Sequence, residues 1–360
     1  MGSASRSSLL LAAAVAVPAI MPTSRYVVQS AAPPTTGKAG DRRSRRCETD
    51  AMIPPAALDS LYGLAHGDAF GDRWFFTSRE EREGAIAHRI TPEDVPWYWT
   101  DDTAQALVLF GHLAENGGSV RQDALAAGLA GAYAADPYRK YGPSMHDVLR
   151  RIGDGERWTE VVAGQFGGQG SYGNGAAMRV APLGAWLAAD LEAAAAQAAV
   201  SHHHPEAVAG AVAVALAAAF AARSRGGPAP RDLLTRVADR LPGSDVRSGL
   251  RTAGRFPEGT SVRHAAEVLG SGYGVSAPDT VPFALWCAAR HLDDLEGGLW
   301  EAVAGLGDMD TTCAIAGGVI ASRTGIDGLP PAWRAALEPL PDWVPEPSGE
   351  TAYRRRPARS

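Results

Sequence analysis

Thr100-Asp101-Asp102-Thr103 sets two adjacent carboxylates between two hydroxyls. Such a cluster of hard oxygen donors suits Mg²⁺, Mn²⁺ or Ca²⁺. A second cluster of the same make stands near the other end of the chain, in Gly307-Asp308-Met309-Asp310-Thr311-Thr312. Each opens onto an apolar run of helical character, AQALVLFGHLA and CAIAGGVIAS. Taken alone, either cluster is more simply a helix N-cap with a second carboxylate complementing the dipole. Two clusters of one design are harder to dismiss, and capping and metal binding can coexist. The reading is that the fold brings the two corners face to face around a pair of ions.

A third feature is Gly167-Gly168-Gln169-Gly170-Ser171-Tyr172-Gly173-Asn174-Gly175, followed by Ala176-Ala177-Met178-Arg179. Its glycines let backbone amides approach a ligand, and a helix starting near Ala176 would add its positive end, an arrangement suited to phosphate. A flexible linker is the plain alternative, but a linker does not need Tyr172, Asn174 and Arg179 among its glycines. Ser201-His202-His203-His204-Pro205 reads as an interhelical turn with one functional imidazole, or as a simple polar turn. Adjacent histidines rarely converge on one metal, and no Cys or H-x₃-H pairing supports zinc. The chain has no GxSxG elbow, no Walker A loop and no GxGxxG after a strand.

The elements that must position these residues are helical almost throughout. Runs at 57–69, 102–116, 121–134, 176–188, 190–201, 205–223, 230–240, 261–269, 279–292, 310–323 and 331–338 carry helical apolar spacing. Residues 136–146 and 153–175 read as loops, and 72–99 as one long loop, more often functional than idle at that length. The run EAVAGAVAVALAAAFAAR is the most apolar of the chain. It falls short of the ~20 residues that span a bilayer and is poor in Leu, so it predicts a buried central helix and no membrane span. Nothing alternates at period two long enough to argue a sheet. The expectation is an all-α fold, one compact domain over about 55–345, with 346–360 as a polar tail.

Bulk properties agree. The 360 residues carry a formal charge of −6 and 46% hydrophobic residues, which leaves no basic footprint for nucleic acid. Cys47, Cys287 and Cys313 form no CxxC pair and no disulfide framework, and the last two fall in apolar helical patterns as buried thiols. Arg6 followed by Leu9 to Ile20 has the charge and length of a secretory signal, yet no small-x-small site follows at once. Met52 starts what looks like a normal domain. Residues 1–50 therefore read as a disordered or non-native extension, with a cytoplasmic protein expected and secretion the open alternative.

The motifs GLAHGDAFG, WTDDT, GSYGNGAAMRVAPLG, SHHHP and GLGDMDTTCAIAGGVIASRTG together resemble the ADP-ribosylglycohydrolase family, in its order and at roughly its spacing. The likeness covers about 57–325 and is closest in motif to the ADP-ribosyl-serine hydrolases. It implies a compact helical fold and a dinuclear Mg²⁺ (or Mn²⁺) centre. The implied ligands are Thr100, Asp101 and Asp102 on one side and Asp308, Asp310 and Thr311 on the other. Asp101, Asp102 and Asp310 would stand at the reaction itself. It further implies that Gly170, Ser171, Tyr172 and Gly173 hold a diphosphate with Asn174 beside them. Phe166 and Tyr273 would stack on adenine, and His202 would lie near the ligand. The implied partner is the ADP-ribose moiety of a modified protein or small conjugate, and the implied reaction is hydrolysis of its glycosidic bond through an oxocarbenium-like state. A monomer is the expected state. Asp68 in GDAFG would support the metal shell from behind, or merely cap a helix. One departure stands out: many members read GDAxGxxxE, and the glutamate position here is Phe75, with Glu80, Glu81, Glu83 and Asp72 all off-register. Another carboxylate takes that role, or the linkage differs, or turnover is lost in favour of ADP-ribose binding.

Overall fold

Pro54 and Pro55 open the first helix, where a missing N–H costs nothing and a fixed φ favours the turn. The computed structural model describes residues 53–347, Ala189 excepted. The N-terminal extension read over 1–50, and the tail from residue 348 on, lie outside these residues. The described chain is all-α. Its helices run α1 (Pro55–Asp72), α2 (Arg79–Ala87), α3 (Asp101–Glu115), α4 (Gln122–Ala135), α5 (Pro143–Gly153) and α6 (Trp158–Ala163). The middle of the chain forms α7 (Gly175–Met178), α8 (Ala181–Leu187), α9 (Leu191–Ala199), α10 (Pro205–Arg223), α11 (Leu233–Ala238) and α12 (Asp245–Ala253). The last third forms α13 (Val262–Leu269), α14 (Ala277–Arg290), α15 (Leu295–Val303), α16 (Met309–Thr324) and α17 (Pro331–Ala336).

The axis of the fold is the antiparallel pair α1 and α16. Gly63, Gly67 and Gly71 recur every four residues and so line one face of α1. A Cβ on them would run into Gly317, Cys313 and Met309 backbone of α16 respectively. Their absence lets the two backbones touch, and this close approach sets the carboxylate of Asp68 beside the start of α16. Both helices are buried almost all round, as a central pair must be. Against them pack α8, α10, α14 and α15, and α10 is the buried central helix its apolar run predicts. Contrary to the expectation that the run falls short, α10 is by length and composition long enough to cross a membrane, but 78% of that window is buried inside the fold.

Two short backbone pairings replace a sheet. Trp97 N–H donates to Ala336 O at 2.6 Å and Glu338 N–H to Trp97 O at 2.9 Å, which fixes the segment leading into Thr100. Ala277 N–H donates to Tyr172 O at 2.9 Å and Asn174 N–H to Val275 O at 3.3 Å, tying the glycine-rich segment to the loop before α14. Under the first pairing lies an aromatic cluster, with Phe70 stacked on Trp333 at 4.5 Å and edge-on to Trp300 at 5.0 Å.

Several elements depart from the sequence expectation. The loop expected over 72–99 contains α2, whose charged run REEREGAIA buries only Ile86 and is held by a Ser78–Glu81 capping box. The loop expected over 136–146 ends in the first turn of α5, and that over 153–175 contains α6. The helices α12 and α15 are not among the expected runs. Each is only nine residues long, and its short apolar stripe, Val246, Leu250 and Ala253 in the first and Leu295, Leu299 and Ala302 in the second, is interrupted by polar residues or by Gly297-Gly298. The single run expected over 176–188 is two helices, broken at Arg179-Val180.

Candidate metal and anion site

Asp68 is fully buried and its carboxylate accepts from Thr100 and Thr103 at the N-terminus of α3. Oδ2 accepts from Thr100 N–H at 2.9 Å, Thr103 N–H at 3.0 Å and the Thr103 hydroxyl at 2.6 Å, while Oδ1 accepts from the Thr100 hydroxyl at 2.9 Å. A carboxylate at a helix N-terminus satisfies orphan donors and complements the dipole. Thr100 also caps α3 itself, accepting from Asp102 N–H at 3.3 Å. The capping reading of TDDT therefore holds, and it is what aims Asp101 and Asp102 inward. The distal cluster is different: Asp308 stands at the N-cap of α16 but makes no side-chain cap.

Oxygens of Asp68, Asp102 and Asp310, one from each, lie within 4.8 Å of one another. Burial, then the charges of Asp68, Asp310, Asp101 and Asp308, push the Asp102 carboxyl well above the usual range. Asp101 and Asp310 are raised for the same two reasons, and burial lifts Asp68 to about 6 despite its four donors. Buried like charges at this separation need a cation between them or protons upon them. Among the described residues Asp102 Oδ1 is buried without a hydrogen-bond partner, and Asp310 Oδ1 accepts from the adjacent Thr311 N–H at 2.9 Å. An all-oxygen set with an unspent lone pair fits a hard divalent cation. Asp101 and Asp308 border the cluster as charges, and Thr311 is buried beside Asp308. Asp68 belongs to the cluster directly, a place that its position in GDAFG alone did not reveal.

The glycine-rich segment lies against the same cluster. Asn174 Nδ2 donates to Asp308 Oδ2 at 2.7 Å and to Thr280 Oγ1 at 3.0 Å, so its side chain is turned inward. Ser171 is buried, with Oγ accepting from Gly173 N–H at 3.2 Å. Gly170, at φ +75°, packs where a side chain would strike His203 and His204. Phe166 holds a left-handed backbone, φ 51° and ψ 44°, that lifts its ring to 61% exposure. Tyr172 is half exposed with its ring 5.5 Å from that of His204. The helix expected to begin near Ala176 is one turn, α7, so its dipole adds little and the amides and side chains of the segment must hold any anion.

The three histidines diverge. His202 is buried against Gly173 and Gly175, His203 is exposed, and His204 caps α10 by accepting from Glu206 N–H at 3.2 Å. Burial, with Arg179 adding to it, lowers the His202 imidazolium to about 3. Opposite, the 270–274 loop is pinned from both sides. Asp279 accepts from Gly274 N–H at 2.6 Å, and Asp308 N–H donates to Ser271 O at 3.1 Å. Tyr273 stands at its apex, 87% exposed. Tyr172, Phe166 and Tyr273 are thus exposed aromatics on segments anchored to Asp308.

Phe75 is 41% exposed on a 3₁₀ turn, Arg73–Phe76, at the C-terminal end of α1. The nearby glutamates are engaged elsewhere, Glu81 with Ser78 and Glu83 with Arg79. Asp72 differs from them. It is buried, one helical turn beyond Asp68 on the same face of α1, and is paired with Lys140. Lys140 adopts a positive φ of 64° and lies 4.3 Å over the Phe76 ring.

Residues 53–357 match the family model described as ADP-ribosylglycohydrolase. The chain is 28% identical over 272 residues to the human ADP-ribosylhydrolase ARH3, covering 67% of this chain and 75% of that protein. It is 26% identical over 317 residues to the ADP-ribosylhydrolase ARH3 of Danio rerio, covering 78% and 85%. Among solved structures, a chain described as an ADP-ribosylglycohydrolase-related protein complex aligns with a TM-score of 0.56 at 27% identity, over 79% of this chain and 92% of that one.

Proposed function

The chain belongs to the ADP-ribosylglycohydrolase family, and from that premise we propose that it is a divalent-metal-dependent hydrolase of ADP-ribose conjugates. It would release ADP-ribose from modified protein side chains or from O-acetyl-ADP-ribose. The observation that carries the proposal is the meeting of Asp68, Asp102 and Asp310 within 4.8 Å, with the glycine-rich segment tied to the same centre through Asn174 and Asp308.

Asp68, Asp102 and Asp310, with Asp101, Asp308, Thr100 and Thr311 around them, are the residues that would hold two Mg²⁺ ions, or Mn²⁺. Such ions, when bound, supply Lewis acidity and lower the pKa of a water molecule. The chain's own residues do the rest. The Ser171 hydroxyl and the 170–173 stretch would line an anionic diphosphate, the Gly170 and Gly173 amides themselves donating to Gln165 O and Ser171 Oγ. Phe166, Tyr172 and Tyr273 offer ring faces to a base, an aromatic contact that tolerates exposure. The Trp97 pairing and the bonds of Asp68 to Thr100 anchor the segment from which Asp101 and Asp102 project. Proximity of a held ribose to these carboxylates is itself a large part of such a rate enhancement. The GSYGN segment together with Phe166 favours a serine-type, O-linked substrate over an arginine-type one. Asp72, buried one turn from Asp68, is a candidate for the role of the glutamate that Phe75 replaces, although its carboxylate is paired with Lys140. The reading of a catalytically impaired binder is not favoured, because the aspartates of both acidic corners are present and Asp68, Asp102 and Asp310 come together.

The test is incubation of the purified protein with Mg²⁺ and ADP-ribosylated serine peptide, ADP-ribosylated arginine or O-acetyl-ADP-ribose, following free ADP-ribose by chromatography. Release that disappears in Asp102→Ala and Asp310→Ala supports the proposal. Tight ADP-ribose binding with no release from any of the three refutes it.

A further inference from the structure

Arg179 is wholly buried and, among the described residues, has no carboxylate within ion-pair distance. Its four hydrogen bonds go to neutral acceptors: Nε to Gln197 Oε1 at 2.9 Å, Nη1 to Gln105 Oε1 at 2.7 Å, and Nη2 to Gln197 O and Ser201 Oγ, both at 2.8 Å. A guanidinium only donates, so every group it touches is forced into the acceptor role on that side. Two arms leave it with their polarity determined.

In the first arm, Gln105 Oε1 is committed to Arg179, so Nε2 is the atom that faces Asp101 Oδ2 at 2.7 Å. That carboxylate oxygen must accept. In the second arm, Ser201 Oγ accepts from Arg179 and sits 2.8 Å from His202 Nδ1. Ser201 is fully buried, and Nδ1 is the one acceptor its hydroxyl hydrogen reaches among the described residues. The opposite arrangement, Nδ1–H donating to Ser201, would strand that hydrogen in the interior, at a cost of ~1–3 kcal/mol. The ring proton of His202 therefore belongs on Nε2. Nε2 faces the glycine-rich segment: a Cβ at Gly175 would lie 3.0 Å from it and one at Gly173 3.3 Å.

We propose that Arg179 is a positioning residue which, through Ser201, holds His202 in the Nε2–H tautomer facing Gly173–Gly175 and, through Gln105, holds Asp101 as an acceptor toward the acidic centre. One buried cation thus orients both halves of the site, a neutral donor on the anion side and a carboxylate on the metal side. The use of that donor by a diphosphate rests on the function proposed above; the tautomer does not. Arg179 keeps its charge near neutral pH, its guanidinium lowered by burial only to about 9.

The test is a long-range ¹H–¹⁵N spectrum of histidine-labelled, metal-free protein at pH 7. The expected result is a pyridine-like Nδ1 and a proton-bearing, pyrrole-like Nε2 for His202, assigned by its loss in His202→Gln. Ser201→Ala, which keeps Arg179 and the fold, is expected to mix the tautomers and to weaken ADP-ribose binding in calorimetry by about tenfold, the worth of one directed hydrogen bond. Arg179→Met is secondary because a vacated buried site can unfold the chain. An Nδ1–H tautomer or an even mixture in the parent protein overturns the proposal, as does an unchanged His202 spectrum in Ser201→Ala. Absence of hydrolytic activity would leave the spectrum as expected and count against the proposed function alone.

Discussion

Asn174 donates to Asp308 across 2.7 Å and 134 residues of sequence. That bond joins the segment proposed to hold an anion to the corner proposed to hold a metal. The side chain is buried and its second contact, Thr280, lies on α14. Asn174→Ala is therefore expected to weaken Mg²⁺ and ADP-ribose binding together, each by about three- to tenfold for one lost hydrogen bond. Because equilibrium coupling is reciprocal, the factor by which Mg²⁺ tightens ADP-ribose in the parent should shrink in the variant. Calorimetric titrations of each ligand with and without the other check this. An undiminished coupling factor would show the two halves to be independent.

Removing a charge from the acidic centre should separate stability from metal binding. In metal-free protein, Asp102→Asn or Asp310→Asn relieves repulsion among buried carboxylates and is expected to raise the melting temperature, by the equivalent of about 1 kcal/mol or more. The same variants should lose the stabilisation that Mg²⁺ gives the parent, ~2.7 kcal/mol at a hundredfold excess over Kd. Calorimetric scans with EDTA and with Mg²⁺ provide both numbers. A variant less stable without metal yet still stabilised by it would contradict the placement of these groups.

The α1–α16 approach makes its own prediction. A methyl at Gly67 would collide with Cys313 backbone, which cannot rotate away. Gly67→Ala should destabilise by roughly 1–3 kcal/mol or more through overpacking, although alanine is the better helix former. Gly84→Ala, on exposed α2 with no neighbour near its Cβ position, should instead be neutral or slightly stabilising. Urea unfolding of the two variants decides the matter, and equal effects would sink the argument.

His202 offers a pH signature. It is neutral in the folded protein, its imidazolium lowered to about 3, while an unfolded histidine titrates at its ordinary 6.5. Its contribution is therefore fully present above 6.5 and is lost as pH falls toward 3, because the unfolded chain then binds the proton that the fold refuses. The slope is up to ~1.4 kcal/mol per pH unit in that window. Raised buried aspartates act in the opposite direction, so the comparison with His202→Gln isolates the imidazole. Between pH 6.5 and 4.5 the parent should lose about 2–3 kcal/mol more than the variant in denaturant titrations. Parallel curves would rule this out.

The sequence by itself determined much of this protein. Helical periodicity announced an all-α chain and the buried run that became α10, and five motifs in order announced the family. Thr100 as a cap and the two acid-hydroxyl corners were legible because capping is a local matter of residue type and position. The helices α2, α12 and α15 were not, since α2 buries a single residue and the apolar stripes of α12 and α15 span only nine residues each. What only the tertiary structure decided is who meets whom. Asp68 joins Asp102 and Asp310 because a glycine face on α1 lets α16 come to backbone contact. Asn174 turns to Asp308 and not outward, and Arg179, which its place among the glycines suggested for the anion cradle, is instead buried behind it at the hub of a polar network. Spacing along a chain encodes the face of a helix. The partner across that face depends on how closely two backbones can approach, and that is settled only when they pack.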